Sequence, residues 1–152
     1  MPLVLNKSQE IVHKRIQDIR AQNKSVKLVI LKARQQGIST LSEALIFHDT
    51  ATRRNRKSKI VAHDPEATTA IFGMTKFFYD NLPEGFDPLK RYDNSRRLVF
   101  ENPNEEERKT NPGLGSMLEV ATASKTEARG ETVHNFHASE VAFWPNAEDL
   151  ML

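Results

Sequence analysis

The apolar and polar positions along the chain alternate between two periods. From Ser8 to Gln22 the apolar residues Ile11, Val12, Ile16 and Ile19 recur at helical spacing between charged positions, and Ser8 is a cap for the helix they predict. Asn23-Lys24-Ser25 breaks that pattern. Val26-Lys27-Leu28-Val29-Ile30-Leu31 then forms a short, branched, nearly continuous apolar run, the signature of a strand buried on both faces of a parallel sheet. Gly37 marks a turn, and Leu41 to His48 is apolar around much of a helix, which predicts a buried one. A second strand is expected over Lys59–His63. After it, Asp64-Pro65 opens a helix whose Ile71, Met74, Phe78 and Leu82 share a face.

Two more strands are expected at 97–101 and 117–121, separated by a long exposed loop over 102–115 that holds Glu105-Glu106-Glu107 and Asn111-Pro112-Gly113. A last strand, 132–138, runs into Ser139-Glu140. Strand–helix–strand–helix followed by further strands predicts an α/β fold with a largely parallel sheet.

Composition narrows the picture without redirecting it. With 152 residues the chain has material for one core, and 38% hydrophobic and 28% charged residues are ordinary for a soluble globular protein. The absence of cysteine rules out disulfides and thiolate zinc sites and suits a reducing compartment. No apolar run approaches the roughly 20 residues that span a bilayer, and the N-terminus lacks the order of a signal peptide. A soluble, cytoplasmic protein is expected. The net charge of +2 neither demands nor excludes nucleic acid, since binding follows local patches.

Candidate chemistry concentrates in Lys32-Ala33-Arg34-Gln35-Gln36-Gly37-Ile38-Ser39-Thr40, between the expected strand and the expected buried helix. A phosphate-binding loop of the form G-x-x-x-x-G-K-[ST] works through backbone N–H groups and a helix N-terminus aimed at phosphate. Here Gly37 holds the second glycine slot and Ser39 the magnesium-facing hydroxyl slot, but Lys32 stands at the first glycine and Ile38 at the lysine. A phosphate needs cationic donors nearby rather than a lysine at one index, and Lys32 and Arg34 flank the turn. The alternative is an ordinary strand-to-helix turn with two solvated cations. The second signal is Glu140 after a strand, where ATPases of this kind place an Asp-Glu pair to hold magnesium and activate water. Ser139 occupies the Asp position; it can hold a magnesium-bound water but brings no charge. Alone, one carboxylate after a strand is common.

Taken together, these residues resemble the large terminase subunits of tailed phages and prophages. Lys32 to Thr40 is similar to that family's deviant phosphate loop, (K/S)-A-R-Q-x-G-x-S/T, and Gln9 matches its upstream adenine-reading glutamine. Ile60-Val61-Ala62-His63, with the helix after it and Leu82-Pro83, is similar to the family's second strand and helix. Ala128-Arg129-Gly130-Glu131-Thr132 and Ala138-Ser139-Glu140-Val141-Ala142-Phe143-Trp144-Pro145-Asn146 resemble its later motifs. The resemblance runs from about Leu5 to Asn146 and implies a P-loop NTPase fold, three-layered, with a mostly parallel sheet flanked by helices. Residues 1–152 would then be the N-terminal part of an ATPase domain truncated after the Walker B strand, with the rest of that domain and a nuclease domain beyond Leu152.

The implied activity is ATP hydrolysis with Mg²⁺, driving double-stranded DNA into a procapsid, with this fragment alone weakly active or inactive because coupling elements and neighbouring subunits are absent. Gln9, Lys32, Arg34, Gln35, Gln36, Gly37, Ile38, Ser39 and Thr40 would bind nucleotide. Ser39 and Glu140 would serve the metal, with Ser139 acting through a water. Glu140 and Arg34 would be catalytic, and Arg129 would face DNA or a neighbouring subunit. The implied partners are DNA, the small terminase subunit, the portal protein and further copies in a ring, in the host cytoplasm. The departures are Ser139 for Asp, and His134, Asn135 and His137 in a strand that is strongly apolar in the family. Alternative readings are a helicase-like translocating ATPase and a non-catalytic prophage remnant.

The remaining features carry less. The histidines at 13, 48, 63, 134 and 137 show no metal-ligand spacing, and no serine sits in a nucleophile elbow. Arg53 to Lys57 suits either phosphate contact or a solvated helix C-terminus. Trp144 beside Pro145 reads as a packing anchor.

Overall fold

A computed structural model describes residues 3–124 and 132–144. The chain divides into two compact units, 1–42 and 43–152.

The first unit holds α1 (Lys7–Ala21). Its cap is Asn6 rather than Ser8. The Asn6 side chain accepts from the Gln9 amide at 3.0 Å, and the Gln9 side chain accepts from the Asn6 amide at 2.9 Å. This reciprocal capping box satisfies two N–H groups that a helix start otherwise leaves open. Residues 24–33 form neither helix nor strand, which corrects the expectation of a buried strand at 26–31. Val29 and Leu31 are fully exposed, at 100% and 103%. Branched apolar side chains fit a strand only where a neighbouring ladder receives them, and none of the five described strands pairs with this run. A turn at 34–36 follows, with Gln35 and Gly37 left-handed at φ 61° and 67°. The chain then enters α2 (Ile38–Thr52), three residues before the apolar pattern that begins at Leu41.

The second unit, which begins inside α2, is a mixed five-stranded sheet in the order β2-β3-β4-β1-β5. The strands are β1 (Lys57–Ala62), β2 (Arg91–Asn94), β3 (Arg97–Glu101), β4 (Gly113–Thr122) and β5 (Asn135–Ala138). Strand β1 runs parallel to both β4 and β5, whereas β2, β3 and β4 form an antiparallel meander. The sheet is therefore less parallel than its sequence pattern suggests. The meander contains β2, a short strand with no apolar alternation. It also contains a β4 that starts at Gly113, inside the expected loop, where a 3-10 turn (Glu107–Lys109) also lies.

Helix α3 (Pro65–Asp80) begins as the sequence predicts, with Asp64 accepting from the Ala67 amide at 2.7 Å and proline in the first turn. Ile46, Phe47 and Ala51 of α2 share one core cluster with Ile71, Phe72 and Tyr79 of α3 and with Ile60, Leu98, Phe100, Leu118 and Val120 of the sheet. Val61, Ala123 and Trp144 form a smaller, separate cluster with Ala138 and Val141. Among the described residues no helix is long and apolar enough to cross a membrane.

Candidate functional site

In the first unit, the start of α1 is tied to the turn that leads into α2. The Gln9 Nε2 donates to the Gly37 carbonyl at 2.7 Å, the Asn6 Nδ2 to the Gln36 carbonyl at 3.2 Å, and the Ser8 hydroxyl to the Gln36 Oε1 at 2.6 Å. Gly37 is demanded twice here. Its φ is left-handed, and a Cβ would meet the Gln9 Nε2 at 2.7 Å. Gln9 is buried, and both ends of its amide already have partners within the chain. It therefore acts first as a brace on the turn, a role its spacing from the turn does not reveal.

Helix α2 starts from this brace, its first α-type bond running from the Leu41 amide to the Gly37 carbonyl at 3.1 Å. Ser39 and Thr40 are half-buried in the first turn, where N–H groups have no acceptor within the helix. Ile38, at the lysine slot, is buried and anchors the helix start. Lys32, Arg34 and Gln35 are exposed, and neither cation makes a hydrogen bond or ion pair with another described residue.

In the second unit, a polar group gathers where the parallel strands β1 and β5 end. The Ser139 amide donates to the Val61 carbonyl at 2.8 Å, extending the pairing by one residue past β5. Glu140 then turns into the left-handed region, at φ 54° and ψ 45°. The corner is held by the Phe143 amide donating to the Glu140 carbonyl at 2.9 Å and by the buried Trp144 indole donating to the Ser139 carbonyl at 2.9 Å. Trp144 is thus the packing anchor its sequence context suggests.

His63, the residue after β1, faces this corner. Its Nε2 lies 2.9 Å from Asp64 Oδ2, its Nδ1 lies 3.4 Å from Glu140 Oε2, and the Phe143 ring lies against it at 5.9 Å between centroids. The carboxyl ends of parallel strands are where open α/β sheets bind ligands. Sequence spacing gave no reason to join His63 to Glu140, because only the parallel pairing of Val61 with Ala138 brings them together. Glu140 follows a strand as expected, in a sheet whose five described strands do not include residues 26–31. Arg129 lies outside the described residues.

One turn along α2 from Ser39, Glu43 is only 1% exposed. Its Oε1 lies 3.2 Å from the His137 Nδ1, while its Oε2 has no hydrogen-bond partner among the described residues. Burial pushes its carboxyl above the ordinary value of 4.5, against the opposing hydrogen bond and charge of His137. The folded chain therefore holds this proton more tightly than the unfolded chain does. The resulting stability is complete below about pH 4.5 and is lost as pH rises through the elevated value. Glu43→Gln should remove that slope, so thermal melts should show the variant gaining on wild type at pH 8 relative to pH 5. An equal difference at both pH values would show that Glu43 titrates alike in the two states.

Among the described residues, no group of three or more His, Asp and Glu side chains is placed to hold a metal ion. No protein-family model matches the chain, and no curated protein matches it.

Proposed function

We propose that this chain is a nucleotide-binding ATPase unit with a P-loop NTPase fold, of the kind that large terminase subunits use to drive double-stranded DNA into a capsid. The observation that carries the reading is the braced turn at 34–37. It runs directly into α2 and leaves Lys32 and Arg34 exposed beside a helix start. Free N–H groups, the positive end of the helix dipole and two uncommitted cations suit a polyphosphate. Arg34 supplies paired donors to phosphate oxygens and Lys32 a point charge. Gln35, Gln36, Gly37, Ile38 and Thr40 contribute backbone groups. Ser39 offers its hydroxyl to a magnesium ion.

Such an ion needs no dedicated cage of side chains, because Mg²⁺ usually binds through substrate phosphates, waters and one or two protein oxygens. Bound there, it would neutralise charge on the phosphates. Glu140 is the general base for the attacking water, with Ser139 close by. Gln9 reads adenine only by giving up or sharing its bond to the Gly37 carbonyl. On this reading the partners are double-stranded DNA, the small terminase subunit, the portal protein and further copies of the chain, in a host cytoplasm.

A second reading, a nucleotide-binding module without turnover, is favoured by Ile38, buried where the usual lysine would stand. Calorimetric titration with magnesium–ATP, beside a phosphate-release assay, separates the two. Removing a charged donor from a phosphate costs about 1.5–3 kcal/mol, so Lys32→Ala and Arg34→Ala should each weaken binding by about tenfold or more. Arg54→Ala, whose guanidinium bonds the Gly113 carbonyl, should leave nucleotide binding unchanged. Equal affinity in all four proteins would remove the basis for both readings.

A further inference from the structure

We infer that His63 is a positioning residue for Glu140, fixing that carboxylate at the carboxyl edge of the sheet. The inference rests on the reading of Glu140 as the base that activates water.

Three observations support it independently of that reading. Glu140 is a non-glycine residue in the left-handed region, a conformation that costs roughly 1–2 kcal/mol and persists only where its surroundings enforce it. Its backbone is enforced from both sides, by Ser139 on Val61 and by Phe143 on the Glu140 carbonyl, so the direction in which its side chain leaves the corner is set. That side chain meets the one imidazole at this end of β1. The ring is itself held, by Asp64 at Nε2 and by the Phe143 ring against its side. Asp64 is in turn fixed as the cap of α3 through its other oxygen.

The chain of contacts therefore runs from a helix cap through a ring to a carboxylate. Its last link is short of a hydrogen bond: the Nδ1 is buried without a partner, 3.4 Å from Glu140 Oε2. A small rotation of the Glu140 side chain closes that gap, and the opposite rotation frees the carboxylate for a water. His63 thus defines one end of the range that the Glu140 carboxylate travels.

The test uses the whole chain and three proteins: wild type, His63→Phe, which keeps a ring against Phe143 but offers Glu140 no nitrogen, and His63→Asn, which restores a short polar group. The first readout is the side-chain carboxylate ¹³C resonance of Glu140, assigned with Glu140→Gln and recorded at one fixed pH. It should shift in His63→Phe and return toward wild type in His63→Asn. The second readout is phosphate release with magnesium–ATP. His63→Phe should lower kcat by up to about a hundredfold, as misplacing a reacting group by an ångström can do. KM should stay within the wild-type range, and His63→Asn should recover part of the loss. An unmoved Glu140 resonance in His63→Phe overturns the inference whatever the activity. Equal kcat in wild type and His63→Phe overturns it as well. Absence of phosphate release from wild type would concern the turnover of this chain alone and not His63, and the carboxylate resonance then decides whether His63 holds Glu140.

Discussion

Glu140→Gln should bind magnesium–ATP and hydrolyse it about 10²–10⁴-fold more slowly than wild type, the contribution typical of a positioned general base. Glutamine keeps the length and planarity of the side chain, and the left-handed corner at 140 is held by backbone bonds and by the Trp144 indole, none of which uses the carboxylate. The variant should therefore melt close to wild type, and any loss would belong to chemistry rather than folding. Rapid-quench phosphate release under saturating nucleotide is the measurement. Wild-type turnover in Glu140→Gln would remove Glu140 from the mechanism and leave the carboxyl edge of the sheet without its base.

Phe100→Ala should cost about 3–5 kcal/mol of stability, as large-to-small changes at buried aromatics do. Phe100 is fully buried at the centre of the larger core cluster. Its ring lies edge-on to Phe47 of α2 at 6.1 Å and stacked with Tyr79 of α3 at 6.2 Å. Removing it opens a void that both helices and β3 line at once, so relaxation of one wall cannot close it. Against a typical total of roughly 5–15 kcal/mol, that is enough to bring the second unit near unfolding. Denaturant melts followed by tryptophan fluorescence at Trp144 would show it. A midpoint unchanged from wild type would mean that the cluster around Phe100 is not what holds α2 and α3 to the sheet.

These two residues also mark how far the sequence could be read. Phe100 lies in a short strand-like run, Arg97–Glu101, and the strand is there with Leu98 and Phe100 inward. Helices α1 and α3 were equally legible because they carry local signals: an apolar stripe in one, Asp64-Pro65 in the other. Residues 26–31 failed because an apolar run states only what its side chains want, while a strand also requires backbone partners that local sequence does not supply. Strand β2 was missed for the converse reason, since Arg91–Asn94 is held by its pairing with β3 and not by any apolar pattern of its own. The braced turn was half legible. Its glycine and cations stand out, but the hold of Gln9 on the Gly37 carbonyl spans 28 positions and leaves no local mark. The meeting of His63 with Glu140 depends on which strands lie side by side, so it became visible only with the sheet order.

The bare run at 26–31 has a consequence for handling the protein in solution. An exposed apolar segment that belongs to no helix or strand is a template for any free strand edge that a neighbouring molecule offers. Within Val26–Leu31 the only charge is Lys27, with Lys32 just past its end, so two ammonium groups are the gatekeepers against self-association. The second of them is one of the cations proposed for phosphate. Neutralising Lys32, by substitution or by a bound polyanion, therefore also removes half of that protection, and the concentration at which the chain stays monodisperse should fall with it.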